Sequence, residues 1–162
     1  MSLVIRRAAE QDVETILAMT RLLATYEGSL SDVISTRTGF LQSLFRENPW
    51  AFCEIAEWNG HPAGFALWYH SFSIFLGRNG LWLEDLFVDK PFRRRGIGRA
   101  MFTHLAKHCV REDLGRLEWS VLRDNQMAIN FYKQMTAVLD DGRMKCRLTA
   151  ASIQHLASGQ SG

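Results

Sequence analysis

The stretch from Leu81 to Gly98, LWLEDLFVDKPFRRRGIG, constrains the fold more than any other part of the chain. An apolar run of strand composition ends at Pro91 and an arginine-rich turn. Gly96 and Gly98 then open a segment in which Met101, Leu105 and Cys109 recur at helical spacing. A strand that feeds a glycine turn and then a helix leaves the first amides of that helix unpaired, and the helix dipole adds positive potential there. Such a cradle takes an anion. With Lys90, Arg93, Arg94, Arg95 and Arg99 around it, the expected anion is a phosphate.

The chain around this unit reads as one domain over residues 1–150, followed by a short flexible tail at 151–162. Leu3 to Arg7 is a first strand, and Val13, Ile16, Leu17, Thr20, Leu23 and Ala24 mark an amphipathic helix to about Tyr26. A second helix is expected over about Thr36 to Arg46. Strands at Ala51 to Trp58 and Ala63 to Phe75 are joined at Asn59-Gly60, a strong hairpin signal. After Gly80 come the Leu81 to Val88 strand, a helix from Gly96 to about Asp113, a strand at Leu117 to Leu122 and a helix at Asn125 to Met135. Two last strands are expected at Ala137 to Leu139 and Arg143 to Leu148. The order is βααβββαβαββ, an α/β (α+β) fold with a central, mixed, mostly antiparallel sheet flanked by helices. In it, the Leu81 strand, its helix and the Leu117 strand form a right-handed crossover with the ligand at the carboxyl edge.

Composition excludes several classes. With 162 residues, 47% hydrophobic, the chain suits a packed core, and a net charge of +2 gives no case for nucleic acid or membranes. The arginine run is narrower than the footprint that binding a phosphate backbone needs. No segment approaches the ~18 apolar residues of a membrane span, and MSLVIRRAAEQD lacks the pattern of a signal peptide, so a cytoplasmic location is expected. Cys53, Cys109 and Cys146 form no CxxC pair, which suggests neither disulfides nor zinc. His104 and His108, with Lys107 and Arg111, read as the polar face of a helix, and no metal site is expected.

The spacing Arg93-x-x-Gly96-x-Gly98 resembles the Q/R-x-x-G-x-G/A acetyl-CoA loop of the GNAT acetyltransferases. Leu83 to Val88, LEDLFV, resembles that family's central strand, and Asn125 to Lys133, NQMAINFYK, its tyrosine-bearing helix. The opening IRRAAEQD resembles its common start, so the resemblance spans about Val4 to Leu148. Within the superfamily, ATYE (Ala24 to Glu27), GFALWYHSFSIFLGR, LWLEDLFV and INFYK look most like the spermidine/spermine (diamine) N-acetyltransferase branch, whose members generally act as homodimers.

The resemblance implies acetyl transfer from acetyl-CoA to a primary amine of a small cationic acceptor, with roles for particular residues. Glu84 binds the acceptor ammonium and takes its proton, directly or through water, while Asp85 is expected to point to the opposite strand face. Tyr132 protonates the leaving thiolate. The backbone around Leu86, Phe87 and Val88 holds the thioester and pantetheine. Arg93, Arg94, Arg95, Gly96, Ile97, Gly98 and Arg99 cradle the pyrophosphate, and Asn125 and Ala128 flank the CoA arm. Tyr26, Glu27, Asp85 and Asp141 join Glu84 in binding the amine.

Taken singly, these residues have plainer readings: Tyr132 as a packing aromatic, Glu84 as a carboxylate paired with an arginine, Glu27 as a helix end. Two departures from the branch stand out. The acidic cluster after its YE pair is replaced by GSLSDV, leaving Asp32, with Asp140 and Asp141 further on as carboxylates that add negative potential. The glycine that follows the tyrosine helix is replaced by Met135-Thr136-Ala137. Shorter amines, a diamine or a lysine-like thioether amino acid, therefore suit the chain better than long polyamines. The competing readings are protein or peptide N-acetylation and a non-catalytic acyl-CoA-binding module.

Overall fold

The structure, a computed structural model, describes residues 2–140, 142 and 145–158. It contains two compact units, residues 1–120 and 121–162.

The first unit is a five-stranded sheet in the order β1-β2-β3-β4-β5. Its strands are β1 (Leu3–Arg7), β2 (Phe52–Trp58), β3 (His61–Ser73), β4 (Arg78–Val88) and β5 (Leu117–Trp119). The first four pair antiparallel, and β5 joins β4 in parallel through Leu81↔Leu117 and Leu83↔Trp119. Helices α1 (Val13–Glu27), α2 (Arg37–Leu44) and α3 (Ile97–Arg111) complete it. The strand–helix order expected from the sequence thus holds through β5.

Alternation along the strands assigns the two faces. Cys53, Ile55, Phe65 and Phe87 pack with Ile16 and Met19 of α1 and Leu44 of α2. Glu54, Ala56, Ala66 and Trp68 alternate to the other face. There α3 lies, with Ile97, Met101 and Leu105 buried and His108 4.7 Å from the Trp68 ring. Helices on both faces seal the sheet.

Two sequence boundaries shift. Gly80 lies inside β4 rather than ahead of it, because the β3–β4 ladder continues outward to Ser73↔Arg78. A Cβ at Gly80 would stand 2.9 Å from Ser71 Oγ and 3.0 Å from Arg116 Cγ, so glycine here lets the chain entering β5 approach closely. Helix α2 is shorter than expected and starts at Thr36, whose Oγ1 accepts from the Gly39 amide at 3.1 Å.

One charged cluster ties β1 to both β2 and α1. Arg6 reaches Asp12 at 2.7 Å and Glu57 at 2.6 Å, and Asp12 also accepts from the Ala9 amide at 2.7 Å. The entry of α1 is therefore held to β1 and β2 by charge-assisted bonds.

The second unit contains α4 (Gln126–Lys133) and a short helix α5 (Ala150–Ala157). The last two expected strands are not formed: residues 137–139 and the described residues of 143–148 have no ladder partner. Val138 is 92% exposed and Leu139 47%, so this segment has no buried face to hold a strand against a sheet.

Helix α4 ends in a Schellman motif. Ala137 N–H donates to the Tyr132 carbonyl at 3.2 Å and Thr136 N–H to that of Lys133 at 3.0 Å, with Thr136 at φ 62°. A β-branched residue thus occupies the left-handed position for which glycine is favoured.

Candidate active site

Glu84 sits on an irregularity in β4. Leu67 opposes Asp85 while the next residue, Trp68, opposes Leu83, so Glu84 has no partner and forms a β-bulge. The bulge corrects the expectation that Asp85 points away from Glu84. Asp85 shares a face with its partner Leu67 and with Phe87, both packed in the cluster under α1. Glu84 shares that face with Trp82, whose indole Nε1 donates to Glu84 Oε2 at 2.9 Å. Two adjacent carboxylates thus lie on one side of the strand, which regular alternation forbids.

Tyr69 pairs with Trp82 across the ladder and completes this patch. Burial, and secondarily the negative charge of Glu84, push the Tyr69 phenol above its ordinary value. The sequence analysis assigned no role to Tyr69 or Trp82. Their signal was the two-residue step from Trp82 to Glu84, which places both on one strand face.

At the far end of β4 the chain turns through Asp89 and a short 3-10 segment, Lys90–Phe92, into the arginine loop. Arg94 at φ 62° and Gly96 at φ 78° are both left-handed, which turns successive amides inward as an anion nest. Gly96 precedes α3 with no side chain capping the helix. The amides of Ile97, Gly98 and Arg99 therefore lack both an intrahelical partner and a cap. No carboxylate interrupts residues 90–99. The cradle suits a phosphate group such as the pyrophosphate of a CoA thioester.

The arginines are not equivalent. Arg94 and Arg99 are exposed and make no hydrogen bond or ion pair through their side chains among the described residues. Arg95 lies 5.4 Å from the Trp58 ring and donates to the Pro91 carbonyl at 3.4 Å. Arg93 turns back to the strand: its Nε donates to the Val88 carbonyl at 2.9 Å, and its guanidinium stacks 4.8 Å from the Tyr26 ring. Tyr26 and Glu27 form the exposed end of α1.

In the second unit, Asn125 Oδ1 accepts from the Ala128 amide at 3.1 Å and so caps α4. Tyr132 is half-buried, which raises its phenol above the usual tyrosine value. Asp140 is exposed, and Asp141 lies outside the described residues.

His104 Nε2 lies 3.5 Å from the buried Glu54, and His108 Nδ1 2.7 Å from Arg111. Among the described residues no three His, Cys, Asp or Glu side chains group as a metal site. No helix among them is long and apolar enough to cross a membrane.

Comparison with known proteins adds four findings. The model of the acetyltransferase (GNAT) family matches residues 5–136. The thialysine N-epsilon-acetyltransferase of Sus scrofa is 34% identical over 145 residues, 84% of this chain and 84% of that protein. The L-ornithine N5-acetyltransferase of Arabidopsis thaliana is 41% identical over 92 residues, which span 57% of this chain but only 40% of the plant protein. Among solved structures, an integron cassette protein from the mobile metagenome of V. cholerae superposes with a TM-score of 0.80 at 24% identity, covering 97% of this chain and 98% of the other, a likeness of fold.

Proposed function

Because the chain belongs to the GNAT acetyltransferase family, we infer that it transfers the acetyl group of acetyl-CoA to a primary amine of a small cationic acceptor of ornithine-like or thialysine-like size. The observation that carries this reading is the bulge at Glu84, which gathers Glu84, Asp85 and Trp82 of β4 and Tyr69 of β3 on one face of their ladder. Two carboxylates attract a protonated amine, and aromatic faces favour the same charge. The thialysine enzyme, aligned over most of both chains, supports an amine of that size.

Acetyl-CoA, when bound, supplies an activated thioester. The chain's own residues do the rest in this reading. The nest at Arg94 to Gly96 and the amides of Ile97 to Arg99 hold the pyrophosphate, with Arg94 and Arg99 adding charge. The amides of Leu86 to Val88 hold the pantetheine arm and the thioester, and Asn125 and Ala128 flank that arm. Glu84 accepts the ammonium proton, since only the neutral amine is nucleophilic. Tyr132 returns a proton to the sulfur: a phenol whose pKa is raised by burial stays protonated at neutral pH, as that role requires. Glu27 and Asp140, with Asp141, set the negative potential that draws the acceptor in, and Tyr26 offers it an aromatic ring.

The same reading makes the protein a cytoplasmic homodimer, in keeping with Cys53, Cys109 and Cys146 as free thiols.

The test is purified protein with acetyl-CoA and a panel of ornithine, thialysine, putrescine, spermidine and a lysine peptide, with acetylated product read by mass spectrometry. Turnover is expected to be highest on ornithine or thialysine. Acetylation of the lysine peptide alone would replace this reading with protein acetylation.

A further inference from the structure

The arginine that opens the phosphate-loop pattern is the one whose head group is bound to β4 and α1. The Arg93 guanidinium meets three residues on two elements of the first unit, β4 and α1. Its Nε donates to the Val88 carbonyl at the end of β4, and its Cζ lies over the Tyr26 ring, 4.8 Å from the ring centre, and 5.9 Å from the centre of the Phe87 ring. Phe87 packs under α1, on the opposite side of the sheet from α3, whose first turn carries the cradle amides. The partners that hold the Arg93 guanidinium, Val88, Tyr26 and Phe87, all belong to β4 and α1 rather than to α3. Among the described residues, Arg94 and Arg99 are exposed arginines of the loop with no side-chain hydrogen bond or ion pair, and so are free to meet an anion.

We propose that Arg93 is a positioning residue and not a phosphate ligand: its guanidinium ties the loop that cradles the phosphate to the last turn of α1, where Tyr26 and Glu27 stand. The flat guanidinium suits this role because it stacks on an aromatic face while its edge donates to a carbonyl, which a lysine ammonium cannot reproduce. Helix α1 ends one residue past Tyr26, at Glu27, where Gly28 turns the chain away. The Arg93–Tyr26 stack therefore anchors the terminus of α1, and the amine-binding end of the molecule depends on a residue of the CoA loop. The link to amine binding rests on the function proposed above.

The experiment compares wild type with Arg93→Gln, Arg93→Lys, Arg94→Gln and Arg99→Gln, alone and, for Arg93, combined with Tyr26→Leu. CoA titrations at about 50 and 200 mM salt read direct phosphate contact, because a charge that meets the phosphate makes affinity salt-dependent. Arg94→Gln and Arg99→Gln are expected to flatten that dependence, and Arg93→Gln to retain the wild-type dependence. In steady-state kinetics, Arg93→Gln and Arg93→Lys are expected to raise the amine KM about fivefold, and less than about twofold in the Tyr26→Leu background. Urea unfolding of the same set without ligand should show the same non-additivity between positions 93 and 26. A flattened salt dependence in Arg93→Gln, or additive effects of the two positions in unfolding, would overturn the proposal. Absence of CoA binding by wild type would instead overturn the acetyl-CoA reading, and the unfolding cycle would still decide the Arg93–Tyr26 link. If Arg93→Gln fails to fold, Arg93→Met, which also removes the charge, carries the same comparisons.

Discussion

Trp82 and Glu84 are joined by a hydrogen bond, indole Nε1 to carboxylate Oε2 at 2.9 Å, two residues apart on the same face of β4. The bond orients the carboxylate proposed above to receive the acceptor ammonium. Trp82→Phe keeps an aromatic ring and removes the donor. Because the pair is solvent-exposed, the expected loss is modest, about five- to tenfold in kcat/KM for the amine, with CoA affinity within about twofold of wild type. Steady-state kinetics beside calorimetric CoA titration check this.

Tyr132→Phe removes the hydroxyl assigned to the leaving thiolate while keeping the ring. The expected result is a drop in kcat of about 10²-fold with acetyl-CoA affinity nearly unchanged. Burial raises the phenol above its ordinary 10.0, so the wild-type rate should show no loss from Tyr132 deprotonation below about pH 10. A pH–rate profile carried into the alkaline range reads this directly.

Asp12 is held by Arg6 and the Ala9 amide, and these bonds lower its carboxyl below the ordinary 3.8. A carboxyl depressed in the folded state stabilises the fold above that ordinary value, and its contribution is lost as pH falls through the folded value. Asp12→Asn should therefore cost about 2–3 kcal/mol at neutral pH, with Arg6 partly solvated and Glu57 still paired to it. The difference from wild type should shrink as the medium is made acidic below the unfolded value. Urea unfolding at a series of pH values measures both.

Thr136 adopts φ 62° at the end of α4, a conformation that opposes its β-branched side chain. Thr136→Gly should relieve that strain and stabilise the protein by about 1 kcal/mol, because the left-handed penalty is removed while both Schellman bonds are backbone bonds and remain. Thermal unfolding gives the sign: a lower Tm would show that the threonine side chain contributes more than its conformation costs.

The strand–turn–helix unit proposed to cradle the phosphate was legible in the sequence because its cause is local. An apolar strand, a glycine with positive φ and a helical period succeed one another within Leu81 to Cys109, and no distant contact is needed to form them. The first strand, the Asn59-Gly60 hairpin and the crossover to β5 were legible for the same reason. The bulge at Glu84 was not, since it arises from how β3 and β4 settle against each other at Leu67 and Trp68, and LWLEDLFV alternates as a regular strand would. The split among the arginines was equally hidden: RRR is uniform in sequence, and only the positions of Tyr26, Phe87 and Trp58 distinguish Arg93 and Arg95 from Arg94. Ala137 to Leu139 carries strand composition, but a strand also needs a ladder partner and a face to bury, and neither is written in the segment itself.

The most direct measurement of the central claim is product formation by Glu84→Gln beside wild type, on the best amine of the panel, with CoA affinity measured on both. The carboxylate accepts the ammonium proton in this account, so the variant should lose about 10²-fold or more in kcat/KM for the amine while CoA binding stays within about twofold. A Glu84→Gln enzyme that acetylates the amine as fast as wild type would contradict it.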